Sequence, residues 1–555
     1  MSLRELTRNI NSDLTEQVNL SHLKGNFEQA GVSLMNLMSV SGVITDRSTH
    51  YNSKEEEQEA MRVIHESMFS LDRGLYLLVH ALDGATDFSR QKAITALLSN
   101  SRAKYGSSVL DEQQEMLGIK FLSRNLPSNR LMNLFVTLKD QRVNNPRTKK
   151  RLILESLFDD HYQFCFWCVK YRSKVKKALT HAWDERTSGI VNNILKKMNF
   201  DIEDSDLLNS LTYKEASIIS DCIVPYMGLA QESTAFRGMN KIAQGVAFVF
   251  GQTERDDYNV KIFRDFQLAK EDLSKGENLP IEVLEGIRST YHPEVKQEEI
   301  LKTAEKSMTS KKRMLTQKKS EKLGVDVKFD PMTANTVDLY KLAYANGMTE
   351  EIWTALMKKA KKSAKQLPVR FNRIGILIDD SFSMSGGEDQ RLRPISVSMA
   401  MKDVLGYTSD DKPVIMSSSG IYNGRRMSLA VPNGGTNLAN SLLDILSSEV
   451  DSVFVLSDGY ENSPAGRFDE VVRAARSIGV DTPIYHINPV SAGESSSGQR
   501  VLSELVPTLP VASPSGLGMM LFRAMMEVDA ERGIKALINM ALPKISSNGA
   551  RRIEQ

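Results

Sequence analysis

The feature that most constrains this chain is a change of hydrophobic period near residue 370. Before it, apolar residues recur at steps of three and four, the spacing that lines one face of an α-helix. Within 60–82, Met61, Val63, Ile64, Met68, Leu71, Leu75, Leu78 and Val79 form one such stripe. Comparable stretches cover 88–98, 110–138, 150–197, 214–249, 282–302 and 335–365, separated by short turns. After residue 370, short β-branched runs alternate with helical text. Strands are expected at 373–379, 413–418, 427–431, 452–457, 482–488 and 509–512, and helices at 392–405, 437–448, 466–477 and 516–528. Such alternation specifies a parallel sheet covered by helices on both faces.

At 555 residues the chain exceeds the roughly 100–200 that one domain usually holds, so a multidomain protein is expected. Residues 1–365 read as an all-α, HEAT-like helical-repeat domain, a ring or solenoid, because so many helical hairpins cannot share one core. No repeat recurs at a fixed period. Residues 366–372 are read as a linker, 373–530 as a doubly wound, Rossmann-like α/β domain, and 531–555 as a polar tail, frayed or folded back.

Composition narrows the class. With 41% hydrophobic and 25% charged residues, and only 17 Pro and 33 Gly, the chain is neither collagenous nor low-complexity. Cys165, Cys168 and Cys222 are too few, and odd in number, for a disulfide framework, which suits a reducing cytoplasm. The N-terminus lacks the apolar core of a signal peptide, and no uncharged apolar run approaches the roughly 20 residues of a spanning helix. No export and no membrane partner are expected. A formal net charge of +2 argues for no partner by itself.

The chemistry concentrates on three loops of the α/β part. Asp379-Asp380-Ser381-Phe382-Ser383-Met384-Ser385-Gly386-Gly387 follows the first strand directly, at a carboxyl end where doubly wound sheets bind ligands. Asp379, Ser381 and Ser383 alternate, so one carboxylate and two hydroxyls converge. Asn433-Gly434-Gly435-Thr436-Asn437 adds a hydroxyl at the opening of a helix, and Leu456-Ser457-Asp458-Gly459 a second carboxylate after another strand. Two carboxylates with neutral hydroxyls suit Mg²⁺ or Mn²⁺, which take roughly six oxygen ligands and keep waters or an open position. A weaker second reading is phosphate binding at Gly434-Gly435-Thr436 before a helix N-terminus, although neither a P-loop nor a dinucleotide fingerprint is present.

These residues resemble the metal-ion-dependent adhesion site (MIDAS) of a von Willebrand factor A (vWA) domain, a likeness that covers about 372–530. The resemblance implies that Asp379, Ser381, Ser383, Thr436 and Asp458 hold the metal, several through water, and that its open position takes an acidic group from a partner.

The helical part is the more basic. Residues 1–370 hold 54 basic and 48 acidic side chains, and residues 371–555 hold 17 and 21. Runs 142–151 and 170–177 each carry five bases and no acid, 302–322 carries eight bases against Glu305 and Glu321, and 358–373 carries seven bases and no acid. Such clusters fit a phosphate backbone, and Phe164, Trp167 and Tyr171 could stack unpaired bases, although core packing is the more ordinary use of these aromatics. The 358–373 run reads as a linker helix facing RNA or the acidic α/β part.

A helical region of this length joined to a vWA domain, with text such as Leu122-Ser123-Arg124-Asn125-Leu126 and Val143-Asn144-Asn145-Pro146-Arg147, is similar to the TROVE module of the Ro autoantigen family. The resemblance implies a ribonucleoprotein: a ring whose basic inner surface grips small non-coding or misfolded RNA. On that surface the candidates are Arg142, Arg147, Lys149, Lys150, Arg151, Arg172 and Lys174. The 302–322 run reads as a loop rather than ring wall. The vWA domain would recruit a protein partner, for example a nuclease.

The alternative is a metal-dependent adaptor without RNA, since vWA domains beside helical regions also resemble partners of MoxR-type AAA+ ATPases. An enzyme is not expected. Phosphoryl transfer would have oxygens for the ion but neither base nor phosphate clamp, and no G-x-S-x-G elbow appears among the scattered His161, His181, His292 and His486. Cys165-Phe166-Trp167-Cys168 lacks the second C-x-x-C of a zinc site and reads as packed thiols. The 25 Met residues read as core filling.

Overall fold

The computed structural model describes residues 18–42, 54–103, 107–143, 146–197, 211–227, 232–251, 258–304, 307–308, 312–314, 316, 329–365, 367, 370–387, 391–490, 500–511 and 513–547. Several sequence features fall outside these residues: Asn144-Asn145, most of the 302–322 basic run, part of the 366–372 linker, Ala512 and the last eight residues. The chain is mostly helical, with a small parallel sheet and its helices in the C-terminal part. It forms two compact units. One comprises Met1–Ile94, Arg102–Asn125 and Pro331–Gln555, the other Thr95–Ser101 and Leu126–Asp330.

The first unit holds the sheet. Strands β1 (Ile374–Ile378), β2 (Val414–Ser417), β3 (Ser452–Leu456), β4 (Ile484–Asn488) and β5 (Thr508–Pro510) lie in the order β2-β1-β3-β4-β5, all parallel. β1, β3 and β4 are buried along their whole length, which is why β1 and Val453–Leu456 of β3 read as unbroken apolar runs, while β4 buries His486 and Asn488 as well. On one face Leu377, Val453, Val455 and Ile484 pack with Leu442 and Ile445 of helix Ala439–Leu446 and Phe468 and Val472 of helix Arg467–Ser477. Gly375 is required there: a Cβ would stand 2.2 Å from Cγ2 of Ile445. Helix Arg393–Gly406 packs against β1, and helices Thr336–Asn346 and Glu350–Lys365 pack against it in turn. Ile395, Val397, Met399, Met401, Val404 and Leu405 are consequently all buried. Helix Leu517–Val528 lies on β5.

Two sequence expectations need correction here. Residues 427–431, read as a strand, join no ladder. Met427 adopts φ +62°, which breaks the extended run, and the Ala430 carbonyl is taken by the Tyr344 hydroxyl at 2.6 Å. The tail, read as polar and either frayed or folded back, is folded back through residue 547 and is not polar on all sides. Helix Ala530–Ser547 buries Ile534, Leu537, Ile538, Ala541, Leu542 and Ile545 against helices Phe27–Ser41, Arg73–His80, Glu112–Arg124 and Leu517–Val528. Gly31 sits under Ala530, where a Cβ would meet its methyl at 2.8 Å.

The N-terminal helices of this unit are tied by buried charge. Arg73, 1% exposed, donates two bonds to Glu115, at 2.7 and 2.8 Å, and Glu115 also pairs with Arg102. Asp72 caps helix Arg73–His80 through the Leu75 N–H at 2.7 Å and meets His22 at 2.7 Å.

The second unit is helical throughout its described residues. Helix Arg172–Trp183 packs against both Ser128–Asp140 and Pro146–Phe158, and His161–Lys170 against Glu232–Val249. Gly245 permits the latter approach: a Cβ there would lie 2.6 Å from Phe164 and 3.1 Å from the Cys168 sulfur. Among the described residues no helix is long and apolar enough to cross a membrane.

Candidate metal centre

The strand order fixes where the site must lie. From β1 the chain runs outward to β2 and then returns past β1 to β3, so the connections diverge between β1 and β3. Ligands of doubly wound sheets bind at that divergence, beyond the carboxyl ends of the two strands. The residue following β1 is Asp379, and the second residue following β3 is Asp458.

Register then sets the partners of Asp379. Ile378 is paired with Ser417 on one side and Leu456 on the other, so Asp379 stands between Ser418 and Ser457. Its N–H continues the ladder to the Leu456 carbonyl at 2.9 Å. Its carboxylate, fully buried, accepts from the Ser457 hydroxyl at 2.6 Å, the Ser381 N–H at 3.0 Å and more weakly the Ser418 hydroxyl at 3.4 Å. Ser381 and Ser383 exchange a hydroxyl bond at 3.0 Å, and Ser383 also bonds Asp458. The loop turns at Gly386, φ +71°, a conformation that costs a side-chain-bearing residue.

The Thr436 loop is held to this frame by the Phe382 N–H bonded to the Gly434 carbonyl at 3.0 Å, and by the Thr436 N–H bonded to Oδ1 of Asn462 at 2.9 Å. Thr436 is 1% exposed, and its hydroxyl has no hydrogen-bond partner among the described residues. An unsatisfied buried hydroxyl costs about 1–3 kcal/mol, so its presence on a loop tied to the Asp379 loop fits a ligand. Asp458 accepts from the Tyr460 N–H at 3.0 Å, and its backbone carbonyl accepts from Asn488 at 3.1 Å.

Burial, and then the charge of Asp458, push the Asp379 carboxyl up to about 6. Burial also raises Asp458. Two desolvated carboxylates that resist ionising together are what a cation between them would relieve. The donor set therefore fits Mg²⁺ or Mn²⁺: two carboxylates and hydroxyls on three loops, all hard oxygens. Hydrogen bonds link Asp379 to Ser381, Ser381 to Ser383 and Ser383 to Asp458, and the Thr436 loop is tied to the same loop through Phe382.

Sequence reasoning missed the supporting residues. Asp380, 3% exposed, turns away toward the loop after β2 and accepts from the Ser418 hydroxyl and from both the N–H and hydroxyl of Ser419 at 2.6–2.8 Å. His486 is buried behind the site, bonded to the Ser457 carbonyl at 2.9 Å and Thr508 at 3.1 Å, and burial lowers it to about 4, so it is neutral. A Ser-Ser-Ser run after one strand and a Ser before Asp458 were the legible signals, but only register gives them a role.

The RNA candidates lie on two helices and on the turn that follows Ser128–Asp140. Arg142 is exposed at φ +49° after helix Ser128–Asp140, and Arg147, Lys150 and Arg151 lie in the first turns of Pro146–Phe158, with Arg151 bonded to Glu155 at 2.6 Å. Lys149 is buried, and its charge acts on His181 near the end of helix Arg172–Trp183. Arg172 and Lys174 are in the first turn of that helix. Arg172 lies 5.5 Å from the Phe248 ring, and Lys174 bonds Asn133 at 2.6 Å. Phe164 and Trp167 are core residues. Cys165 and Cys168 are buried, which pushes the Cys165 thiol up to about 12 and Cys168 well above its ordinary value.

Compared with known proteins, the chain matches no family model and no curated protein.

Proposed function

We propose that the α/β unit is a divalent-cation site of the vWA type, through which the protein engages an acidic group of a protein partner, and that the helical unit binds RNA in the manner of a Ro-like protein. The observation that carries the cation reading is the buried, unpartnered Thr436 hydroxyl on a loop tied to the Asp379 loop through Phe382 and Asp380. Asp379 and Asp458 would supply the negative charge, and Ser381, Ser383 and Thr436 neutral oxygens, some of them through water. A cation held there offers an electrophilic position to a carboxylate, which is binding chemistry rather than turnover.

The RNA reading is supported by cation–aromatic pairs on the helical unit. Lys241 lies 4.1 Å from the ring of Tyr162, and Lys170 and Lys174 each lie 5.7 Å from that of Tyr171. Lysines beside accessible rings can hold phosphates while bases stack. The burial of Lys149 and the pairing of Arg151 with Glu155 favour the second reading, an adaptor without RNA, for example for a MoxR-type AAA+ ATPase.

Two titrations test the halves separately. Calorimetry with Mn²⁺ is expected to show one site in the full chain and none in Asp458→Ala. Filter binding of a labelled RNA with a single-stranded 3′ end is expected to weaken steeply as salt rises from about 50 to 300 mM. No retained RNA at the lowest salt would leave the adaptor.

A further inference from the structure

The rim of the candidate metal centre is unusually apolar. Phe382, Ile421, Val431, Tyr460 and Val501 are 71%, 84%, 66%, 43% and 55% exposed. Each belongs to a loop tied to the site. Phe382 lies between Ser381 and Ser383. The Ile421 N–H bonds the hydroxyl of Ser419, which in turn bonds Asp380. Val431 precedes Asn433, whose N–H bonds the Asp380 carbonyl at 2.8 Å. The Tyr460 N–H bonds Asp458, and Arg500, adjacent to Val501, stacks on the Tyr460 ring at 4.6 Å. Scattered exposed apolar residues are ordinary on a protein surface, whereas five on the loops that frame one polar centre suit a docking surface. Tyr and Arg at its edge are residue types enriched in protein interfaces.

We infer that this rim selects the partner: the site takes a protein segment in which an aspartate or glutamate is flanked on both sides by large apolar side chains. The inference rests on the cation reading and adds to it the residues beside the acid. Charge complementarity sets the centre, because a cation held by two carboxylates and neutral hydroxyls keeps an open position that only an anionic or strongly polar oxygen fills well. The rim sets the flanks, because Phe382, Ile421, Val431 and Val501 leave water only against apolar surface. Arg500 adds a positive charge on the same side. An acid in a polar, hydrated segment would satisfy the ion and leave the rim wet.

The test uses the full chain and three synthetic heptapeptides: a central aspartate between pairs of leucines, the same aspartate between pairs of serines, and a central asparagine between pairs of leucines. Binding is measured with saturating Mn²⁺ and with EDTA. The expected result is that the leucine–aspartate peptide binds about tenfold more tightly than the serine one, the factor that about 1.4 kcal/mol carries, and that EDTA or asparagine abolishes it. Ile421→Ser combined with Val431→Ser, both exposed and neither a candidate ligand, should erase the preference while Mn²⁺ binding stays within about twofold. Equal affinity for the two aspartate peptides, with Mn²⁺ bound, overturns the inference and leaves the cation reading standing. Leucine-peptide binding that persists in EDTA overturns it also, as an apolar surface without an ionic anchor. Absence of Mn²⁺ binding removes the cation reading, and the inference with it.

Discussion

Thr436 makes the sharpest distinction at the level of single residues. Its hydroxyl is buried and unpartnered among the described residues, so without a cation it is a cost. Thr436→Val, which keeps the shape and removes the oxygen, is expected to stabilise the metal-free protein by about 1 kcal/mol and to weaken Mn²⁺ binding. Chemical denaturation in EDTA beside a Mn²⁺ titration reads both signs. A Thr436 that served only packing would move stability alone. His22 is separable in pH. Its hydrogen bond to buried Asp72 raises its pKa above 6.5, with burial opposing. The stability it contributes is therefore complete below about pH 6.5 and is lost as pH rises through the folded value. Burial lowers His65, His80 and His486 instead, so they cost stability only on acidification below about 6.5. Urea midpoints measured across pH 6 to 9 should fall with pH in the native chain and fall less in His22→Asn.

At the level of elements, hydrophobic period located the helices and most of the strands, because burial on one face or on both writes itself into spacing. It could not give pairing. The 427–431 run has the composition of a strand, yet Met427 at φ +62° and the bond from Tyr344 to Ala430 keep it out of the sheet, and both depend on residues distant in sequence. The positions of Asp379, Ser381, Ser383 and Asp458 beyond β1 and β3 were legible because they follow strand ends, where side chains are free to converge. Ser418 and Ser457 were not, since their roles come from register across β2, β1 and β3. The C-terminal helix shows the same limit: its stripe of Ile534, Leu537, Ile538, Leu542 and Ile545 names no partner, and three helices far upstream and one adjacent provide the core. Leu537→Ala is expected to cost about 2–5 kcal/mol, measurable as a lower urea midpoint. A surface helix would lose far less.

For the whole molecule, two compact units with separate cores allow two binding activities to be separated by mutation. If RNA binds the helical unit and an acid binds through the cation, Asp379→Ala leaves the salt-dependent RNA affinity unchanged while removing Mn²⁺ binding. Loss of both together would mean that one depends on the other. Everything proposed about the protein partner, however, rests on the cation itself. The most direct measurement is a crystal of the full chain soaked in Mn²⁺ and recorded at a wavelength where manganese scatters anomalously. The account predicts one strong anomalous peak bounded by Asp379, Ser381, Ser383, Thr436 and Asp458, with at least one carboxylate oxygen at about 2.2 Å, a distance expected for a small hard cation, and no peak there in Asp379→Ala. A peak elsewhere, or none at a Mn²⁺ concentration that saturates the calorimetric signal, would contradict it.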